Sequence, residues 1–157
     1  MAGDGVRESA AGVTLARRAY LVTGAGGRIG RAIWNRLGCR GDDPRGFDRS
    51  PGPAVQWLAD LGDEAVLRRA LAGVEAVVHT AALHAPHVGC IADAEFQRIN
   101  VDATRRLLDL AVAADVPRIV FTSTTALYGD AAIAPGRAVW VDEALVPAPR
   151  TIYHRTK

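Results

Sequence analysis

Short apolar runs alternate with segments of helical periodicity along most of this chain of 157 residues. A short apolar run predicts a buried strand, whereas apolar residues spaced three or four apart predict a helix. Because strands that alternate with helices form parallel sheets covered on both faces, we expect an α/β fold with a doubly wound parallel sheet. The predicted strands are residues 20–23, 44–47, 55–58, 76–80 and 118–122, and the predicted helices are residues 29–37, 63–71 and 92–114.

The two ends of the chain differ from this alternating part. Residues 1–18 are small, polar and mixed in charge, so we expect a flexible segment there. Residues 131–150 predict an irregular loop, and a helix should begin near residue 151, but the sequence stops at residue 157. We therefore expect residues 19–157 to form one incomplete domain, whose sheet is truncated after its fifth strand and whose C-terminal substrate-binding part is absent.

Composition excludes several classes of protein. A hydrophobic content of 49% with a net charge of +2 excludes disorder as the main state. The arginines are scattered among seventeen acidic residues, which predicts no nucleic-acid surface. No apolar run approaches the ~18–20 residues that span a bilayer, and no signal core is present, so we expect a cytoplasmic protein. Cys39 and Cys90 lack the spacing of metal ligands, so no metal site is expected.

Glycines stand at the first, fourth and seventh positions of the turn between the first predicted strand and helix. Gly24 allows a tight turn, Gly27 lets the backbone approach a diphosphate, and Gly30 lets the helix pack closely on the strand. The phosphates would then meet free N–H groups at the positive end of the helix dipole. This turn predicts a dinucleotide-binding domain of the Rossmann type.

An aspartate follows the second predicted strand, where such a domain binds the adenosine ribose. Asp48 can accept hydrogen bonds from both ribose hydroxyls and would repel a 2′-phosphate, which favours NAD over NADP. Arg28 and Arg49 lie close in sequence to these elements, and an arginine there can accommodate a 2′-phosphate. An NADP-linked ketone or aldehyde reductase is therefore the alternative.

The G-x-x-G-x-x-G spacing resembles that of the short-chain dehydrogenase/reductase superfamily, specifically its extended branch of NAD-dependent epimerases and dehydratases. Further segments over residues 18–157 follow in the order of that family. Ala103 departs from the pattern, because the family's helix motif has glycine there. The matching segments are Asp60-Leu61, His79-Thr80-Ala81-Ala82, Asn100-Val101, residues 121–129 and Tyr153-x-x-x-Lys157.

The resemblance implies a role for each matched position in binding the cofactor. The acidic residue after the third strand would touch the adenine amino group, and the small residues after the fourth strand would line the nicotinamide side. The lysine would hydrogen-bond the nicotinamide ribose. The cofactor contacts implied are Gly24, Gly27, Arg28, Ile29, Gly30, Asp48, Asp60, Leu61, Ala81, Ala82, Tyr153 and Lys157.

The same resemblance implies a catalytic set. On a helix, Tyr153 and Lys157 are one turn apart and share a face, so the ammonium favours the phenolate. Tyr153 can then exchange a proton with a substrate hydroxyl while a hydride passes to or from the nicotinamide. Thr124 occupies the family's Ser/Thr position and would hold the substrate oxygen, with Ser123 as a neighbouring candidate.

Residue choices around these positions narrow the reaction. The family's dehydratases carry Asp-Glu after the catalytic threonine, but this chain has Thr125 and Ala126, neither of which is a general acid or base. Epimerisation and alcohol/ketone oxidoreduction therefore stay open, with a nucleotide-sugar as the substrate that the resemblance suggests. His84 and His87 follow the fourth strand, and His84 is a candidate for substrate contact.

The early stop after Lys157 predicts a chain of limited activity. Two turns of helix are marginal alone, and the apolar fifth strand would form an open sheet edge. We expect this form to bind NAD weakly and to turn over little. The alternative is an NAD-binding fragment or module that works only by association, with a homodimer through that edge as one outcome.

Overall fold

The computed structural model describes residues 6–8, 14–133 and 139–157. By its internal contacts the chain divides into two compact units. The first unit contains the described residues up to 81 together with 106–121, and the second contains 82–105 and the described residues from 122 to 157. The glycine-rich turn belongs to the first unit, and the tyrosine–lysine pair belongs to the second.

A five-stranded parallel sheet organises the first unit, as the alternating sequence pattern predicted. Its order is β5-β4-β3-β6-β7, so the chain leaves the central strand β3 on one side and later returns to its other side. This order confirms the doubly wound α/β fold. The strands are β3 (Ala19–Thr23), β4 (Asp43–Asp48), β5 (Trp57–Leu58), β6 (Ala76–His79) and β7 (Ile119–Phe121).

The reversal of strand order places β3 and β6 side by side, with their carboxyl ends in register. Thr23 lies opposite His79 on one side and opposite Phe47 on the other. In open parallel sheets, ligands bind outside the carboxyl ends of the strands at such a reversal. The glycine-rich turn leaves β3 at this point.

The helices begin and end close to their predicted bounds. Asp63 caps α2, because its Oδ1 accepts a hydrogen bond of 3.1 Å from the Val66 amide. Residues 97–102 form a π-helical segment, although the apolar spacing predicted one continuous α-helix. In a π-helix the backbone hydrogen bonds join residues five apart rather than four, and the spacing of a few apolar residues does not reveal this local change. The helices are α1 (Arg28–Cys39), α2 (Glu64–Leu71), α3 (Asp93–Phe96), α4 (Ala103–Ala113) and α5 (Ile152–Arg155).

Each unit has its own buried apolar residues. In the first unit, large side chains from the sheet and its helices are fully buried, among them Leu21, Phe47, Leu67 and Leu107. In the second unit a smaller cluster consists of Leu83, Phe96 and Ile99, against which Ile91, Ile152 and Tyr153 pack. This second cluster brings the α5 tyrosine next to the segment that follows β6.

Three details differ from the sequence-based expectations. Two short antiparallel strands, β1 (Val6–Glu8) and β2 (Thr14–Ala16), lie where no strand was predicted, because three residues are too few to show periodicity. Strand β5 has two residues rather than four. Ile29 is 59% exposed, although it is the first apolar residue of the helix that apolar spacing predicted over residues 29–37. Among the described residues, no helix is long and apolar enough to cross a membrane.

Candidate functional site

The glycine-rich turn after β3 is packed so closely that side chains are excluded at two of its positions. Gly24 has φ +72°, and a Cβ there would lie 2.7 Å from both Ala81 N and Thr80 Oγ1. A Cβ at Gly30 would overlap the carbonyl oxygen of Gly24. The roles predicted for these glycines, a tight turn and close helix packing, correspond to this geometry.

The N-terminus of α1 carries no side chain that satisfies its first amides. Gly27 is the N-cap residue, no side chain caps the helix, and the first turn contains no acidic residue. The first helical bond runs from Arg31 N to Gly27 O at 3.0 Å. Arg28 and Ile29 are exposed at this end of the helix. Backbone N–H groups and the helix dipole therefore offer an anion a site here.

Asp48 lies beside this turn and is hydrogen-bonded to it. Its Oδ2 accepts from Gly26 N at 3.0 Å, and its Oδ1 accepts from Ser50 N at 2.8 Å. Each carboxylate oxygen has two lone-pair sites, so both oxygens can accept a further hydrogen bond. The carboxylate is thereby held in one orientation while it can still accept from hydroxyl groups.

The next predicted contact, Asp60-Leu61, follows β5 on the same edge of the sheet. Asp60 Oδ1 accepts from Gly62 N at 2.8 Å, which forms a tight turn before α2. Leu61 is buried. Asp48 ends β4 and pairs in register with Leu58, so Asp60 lies just beyond the end of the neighbouring strand β5.

Ala81 and Ala82 are half-buried and follow β6, where a buried hydroxyl holds the chain. Thr23 Oγ1 lies 2.6 Å from His79 Nδ1 and accepts from Ala81 N at 3.4 Å. The Thr80 hydroxyl in turn donates to Thr23 O at 2.7 Å. Thr23 and His79 were not predicted as site residues, and a polar pair on two otherwise apolar strands is the signal that could have found them.

The catalytic pair predicted from Tyr153-x-x-x-Lys157 lies in the second unit, but α5 ends at Arg155, so Lys157 follows the helix that contains Tyr153. Thr151 caps α5 through its Oγ1, which accepts from His154 N at 3.3 Å. Lys157 Nζ donates to Thr122 O at 2.6 Å. Burial lowers the pKa of the Lys157 ammonium below its ordinary value, because desolvation disfavours the charged form. The Tyr153 ring is half-buried against the cluster of the second unit.

The hydroxyls predicted to hold a substrate oxygen lie just after β7. Thr124 begins a 3₁₀ turn over residues 125–128, and its Oγ1 accepts from Ala126 N at 3.2 Å. Ser123 Oγ lies 3.5 Å from Lys157 O. Ser123 and Thr122 thus contact Lys157 directly, whereas the Thr124 hydroxyl is hydrogen-bonded within its own turn.

The two histidines after Leu83 contact each other. His84 N donates to His87 Nδ1 at 3.1 Å, and the two rings meet edge to face with centroids 4.6 Å apart. His84 is exposed. Within the part of the chain that the structure describes, no group of three or more His, Cys, Asp or Glu side chains could hold a metal ion.

Comparison with known proteins identifies the family of this chain. The family model described as the NAD dependent epimerase/dehydratase family matches residues 20–157. A similar curated protein is the sterol demethylase protein B of Methylococcus capsulatus, which is 38% identical over 149 residues, covering 87% of this chain and 43% of that protein.

Two solved structures share the fold. A short-chain dehydrogenase/reductase superfamily protein from Agrobacterium tumefaciens with bound NAD has a TM-score of 0.76 at 35% identity, over 89% of this chain and 42% of that one. The UDP-glucose 4-epimerase from Brucella ovis in complex with NAD also has a TM-score of 0.76, at 29% identity, over 88% and 44%. The chain spans less than half the length of these similar proteins.

Proposed function

Because this chain belongs to the NAD-dependent epimerase/dehydratase family, we propose that it binds NAD and supplies the acid/base pair for oxidoreduction at an alcohol or ketone carbon. The observation that carries the proposal is the glycine-rich turn at an uncapped helix N-terminus, hydrogen-bonded to Asp48 through Gly26. A diphosphate needs exposed backbone amides, and a ribose needs paired acceptors. The turn offers the first and Asp48 offers the second.

The residues of the first unit fit NAD by size and by charge. The missing Cβ atoms at Gly24 and Gly30 leave the turn tight against Ala81, and Gly27, the N-cap residue of α1, has no side chain that would keep a diphosphate away from the helix. Ile29 is exposed at the N-terminus of α1, and we assign it to the cofactor contacts at this end of the helix. Arg28 adds a positive charge at the same end of α1. Four further residues follow strands at the same edge of the sheet. We assign the pair after β5, Asp60 and Leu61, to the adenine end of the cofactor, and the pair after β6, Ala81 and Ala82, to its nicotinamide end.

Asp48 supports NAD rather than NADP. Its carboxylate is fixed by two backbone amides, so it cannot turn away from a 2′-phosphate without breaking both hydrogen bonds. A 2′-phosphate on a ribose bound to Asp48 would lie next to the carboxylate, and the repulsion between these two anions disfavours NADP. The NADP-linked reductase stays the second candidate, supported by the exposed Arg28 and Arg49.

In the second unit, we assign the proton transfer to Tyr153 and the support of its phenolate to Lys157. NAD, when bound, supplies the hydride acceptor for the substrate carbon. Tyr153 would take the proton of the substrate hydroxyl at its phenolic oxygen, and Lys157 would favour the phenolate and bind the nicotinamide ribose. Thr124, with Ser123 beside it, would hold the substrate oxygen. Thr125 and Ala126 offer no acid or base, so elimination of water is not proposed.

We propose a nucleotide-sugar as the substrate class, with His84 as a contact. The similarity to the UDP-glucose 4-epimerase from Brucella ovis supports this choice. The similarity to sterol demethylase protein B favours a sterol-like alcohol as the second candidate. A homodimer and a cytoplasmic location stay predictions.

Calorimetry on the 157-residue chain tests the function. We expect saturable binding of NAD with a lower Kd than that of NADP. No heat and no saturation with millimolar NAD or NADP, on folded protein, would contradict the proposal. Tighter binding of NADP would favour the reductase instead.

A further inference from the structure

A buried asparagine in the π-helical segment connects two parts of the second unit. Asn100 is 4% exposed, and its amide contacts both backbone polar groups of Leu83. Asn100 Oδ1 accepts from Leu83 N at 2.8 Å, and Asn100 Nδ2 donates to Leu83 O at 3.0 Å. The side-chain amide of Asn100 therefore pairs with the N–H and the C=O of Leu83, as the backbone of a neighbouring strand does in a sheet.

The second proton of the same amide group goes to the segment that carries the tyrosine–lysine pair. Asn100 Nδ2 donates to Thr156 Oγ1 at 3.1 Å. The Thr156 hydroxyl has one hydrogen, which it donates to Ile152 O at 2.8 Å, so its oxygen is the acceptor toward Asn100. With both Nδ2 protons and Oδ1 engaged, only one orientation of the amide satisfies all partners. We call Asn100, Leu83 and Thr156 with these bonds the Asn100 network.

The position of Thr156 relates this network to Lys157. Thr156 is 7% exposed and directly precedes Lys157, whose Nζ is held by Thr122 O at 2.6 Å. The Lys157 side chain therefore extends between two anchored points, the Thr156 backbone and the Thr122 carbonyl. On the other side of the network, the Leu83 side chain packs in the cluster that Tyr153 contacts.

We propose that Thr156, held by Asn100, is a positioning residue that keeps the Lys157 amine on the Thr122 carbonyl and in register with Tyr153. This inference rests on the proposed function, because the register matters only if Lys157 supports the Tyr153 phenolate. Without the hydroxyl, the last residues of the chain lose their bond to the buried amide, and the Lys157 amine becomes free to move into solvent. The lowered pKa of Lys157 agrees with an amine held away from water.

The chain provides a specific probe, because Lys157 is its only lysine. Protein labelled with ¹³C at lysine gives one ε-methylene signal, whose shift reports the pKa of Lys157 without any cofactor. We expect Thr156→Val to move this pKa back toward the ordinary value of lysine. Thr156→Ser keeps the hydroxyl and should keep the lowered pKa. Thr125→Val removes an exposed threonine of the same unit and should also leave the pKa lowered.

Two results would overturn the inference. The first is a folded Thr156→Val variant in which Lys157 titrates as in the unaltered chain, because Thr156 would then be only a contributor to stability. The second needs no variant: rapid solvent exchange of the Asn100 Nδ2 protons in the folded, unaltered chain would show that the network does not persist. If the variant does not fold, this exchange measurement decides.

Titration with NAD separates this inference from the proposed function. In the unaltered chain and in Thr156→Ser, we expect NAD to shift the Lys157 signal, with a smaller shift in Thr156→Val. A chain that binds no NAD but loses the lowered pKa in Thr156→Val would contradict the function and support the positioning role. A chain that binds NAD equally in all variants, with an unchanged Lys157 pKa, would support the function and contradict the positioning role.

Discussion

Gly26 N donates a hydrogen bond of 3.0 Å to Asp48 Oδ2, which joins the glycine-rich turn after β3 to the carboxyl end of β4. A Cβ added at Gly26 would lie 3.1 Å from that same oxygen, so the turn and the carboxylate are in tight contact. Asp48, which is proposed to determine the preference for NAD over NADP, is thus hydrogen-bonded to the turn that is proposed to bind the diphosphate. A change at Asp48 should therefore affect both properties.

Asp48→Asn should reverse the cofactor preference. The asparagine side chain lacks the negative charge that repels a 2′-phosphate. The carboxylate accepts from Gly26 N and Ser50 N with one oxygen each, whereas asparagine has a single oxygen and can keep only one of these two bonds in the same geometry. We expect the Kd for NAD to rise and the ratio of NADP to NAD affinity to increase about tenfold, which is ~1.4 kcal/mol. Calorimetry with both cofactors measures this, and Asp43→Asn, at the other end of β4, is the matched control. An unchanged ratio would remove Asp48 from the specificity argument.

Two glycines of α1 should respond to alanine with opposite signs. At Gly30 the new methyl group would overlap the Gly24 carbonyl oxygen, so we expect the free energy of unfolding to fall by about 1–3 kcal/mol. At Gly38 the nearest atom would be Pro44 Cγ at 3.8 Å, an ordinary contact. Alanine there should stabilise the helix by up to about 1 kcal/mol. Urea unfolding of both variants tests the close packing of the turn, and equal effects would contradict it.

Thr23→Val should weaken both folding and NAD binding. The hydroxyl is buried, lies 2.6 Å from His79 Nδ1 and accepts from Ala81 N. Its removal leaves buried polar groups without this partner, which costs about 1–3 kcal/mol. The chain at Ala81 also loses a restraint, so the Kd for NAD should rise. Thr23→Ser keeps the hydroxyl and should restore both properties; a serine variant as weak as the valine variant would point to lost packing.

Lys157 should make stability depend on pH in the alkaline range. Burial lowers its pKa in the folded chain, so below that pKa the folded state bears the cost of a buried charge. The unfolded chain holds the proton up to the ordinary pKa of lysine, so the free energy of unfolding should rise with pH between the two values. Urea unfolding across this window, compared with Lys157→Met, isolates the contribution. A constant difference between the two proteins would contradict the lowered pKa.

Much of the fold follows from local patterns. The run from Tyr20 to Thr23 and the glycines at 24, 27 and 30 predicted a strand, a tight turn and a helix, because each depends on neighbouring residues alone. The helix predicted over residues 63–71 starts with an aspartate, a common N-cap residue, and Asp63 caps α2 through its bond to Val66 N. The expected order of strands and helices likewise led to the α/β fold that the structure confirms.

The remaining features depend on residues far apart in the chain. The bonds of Thr23 to His79, and of Asn100 to Leu83 and Thr156, join positions that no periodicity relates. The exposure of Ile29 was missed for a related reason, since spacing identifies a helix face but not what covers it.

The amino-acid sequence by itself determined the family, the alternation of strands and helices, and the residue types at the turn and at the tyrosine–lysine pair. Only the tertiary structure decided which polar atoms those residues meet. Burial lowers the pKa of Lys157, and hydrogen bonds orient Asp48 and Asn100. Burial and hydrogen-bond geometry arise when distant segments pack together, so a linear pattern cannot specify them.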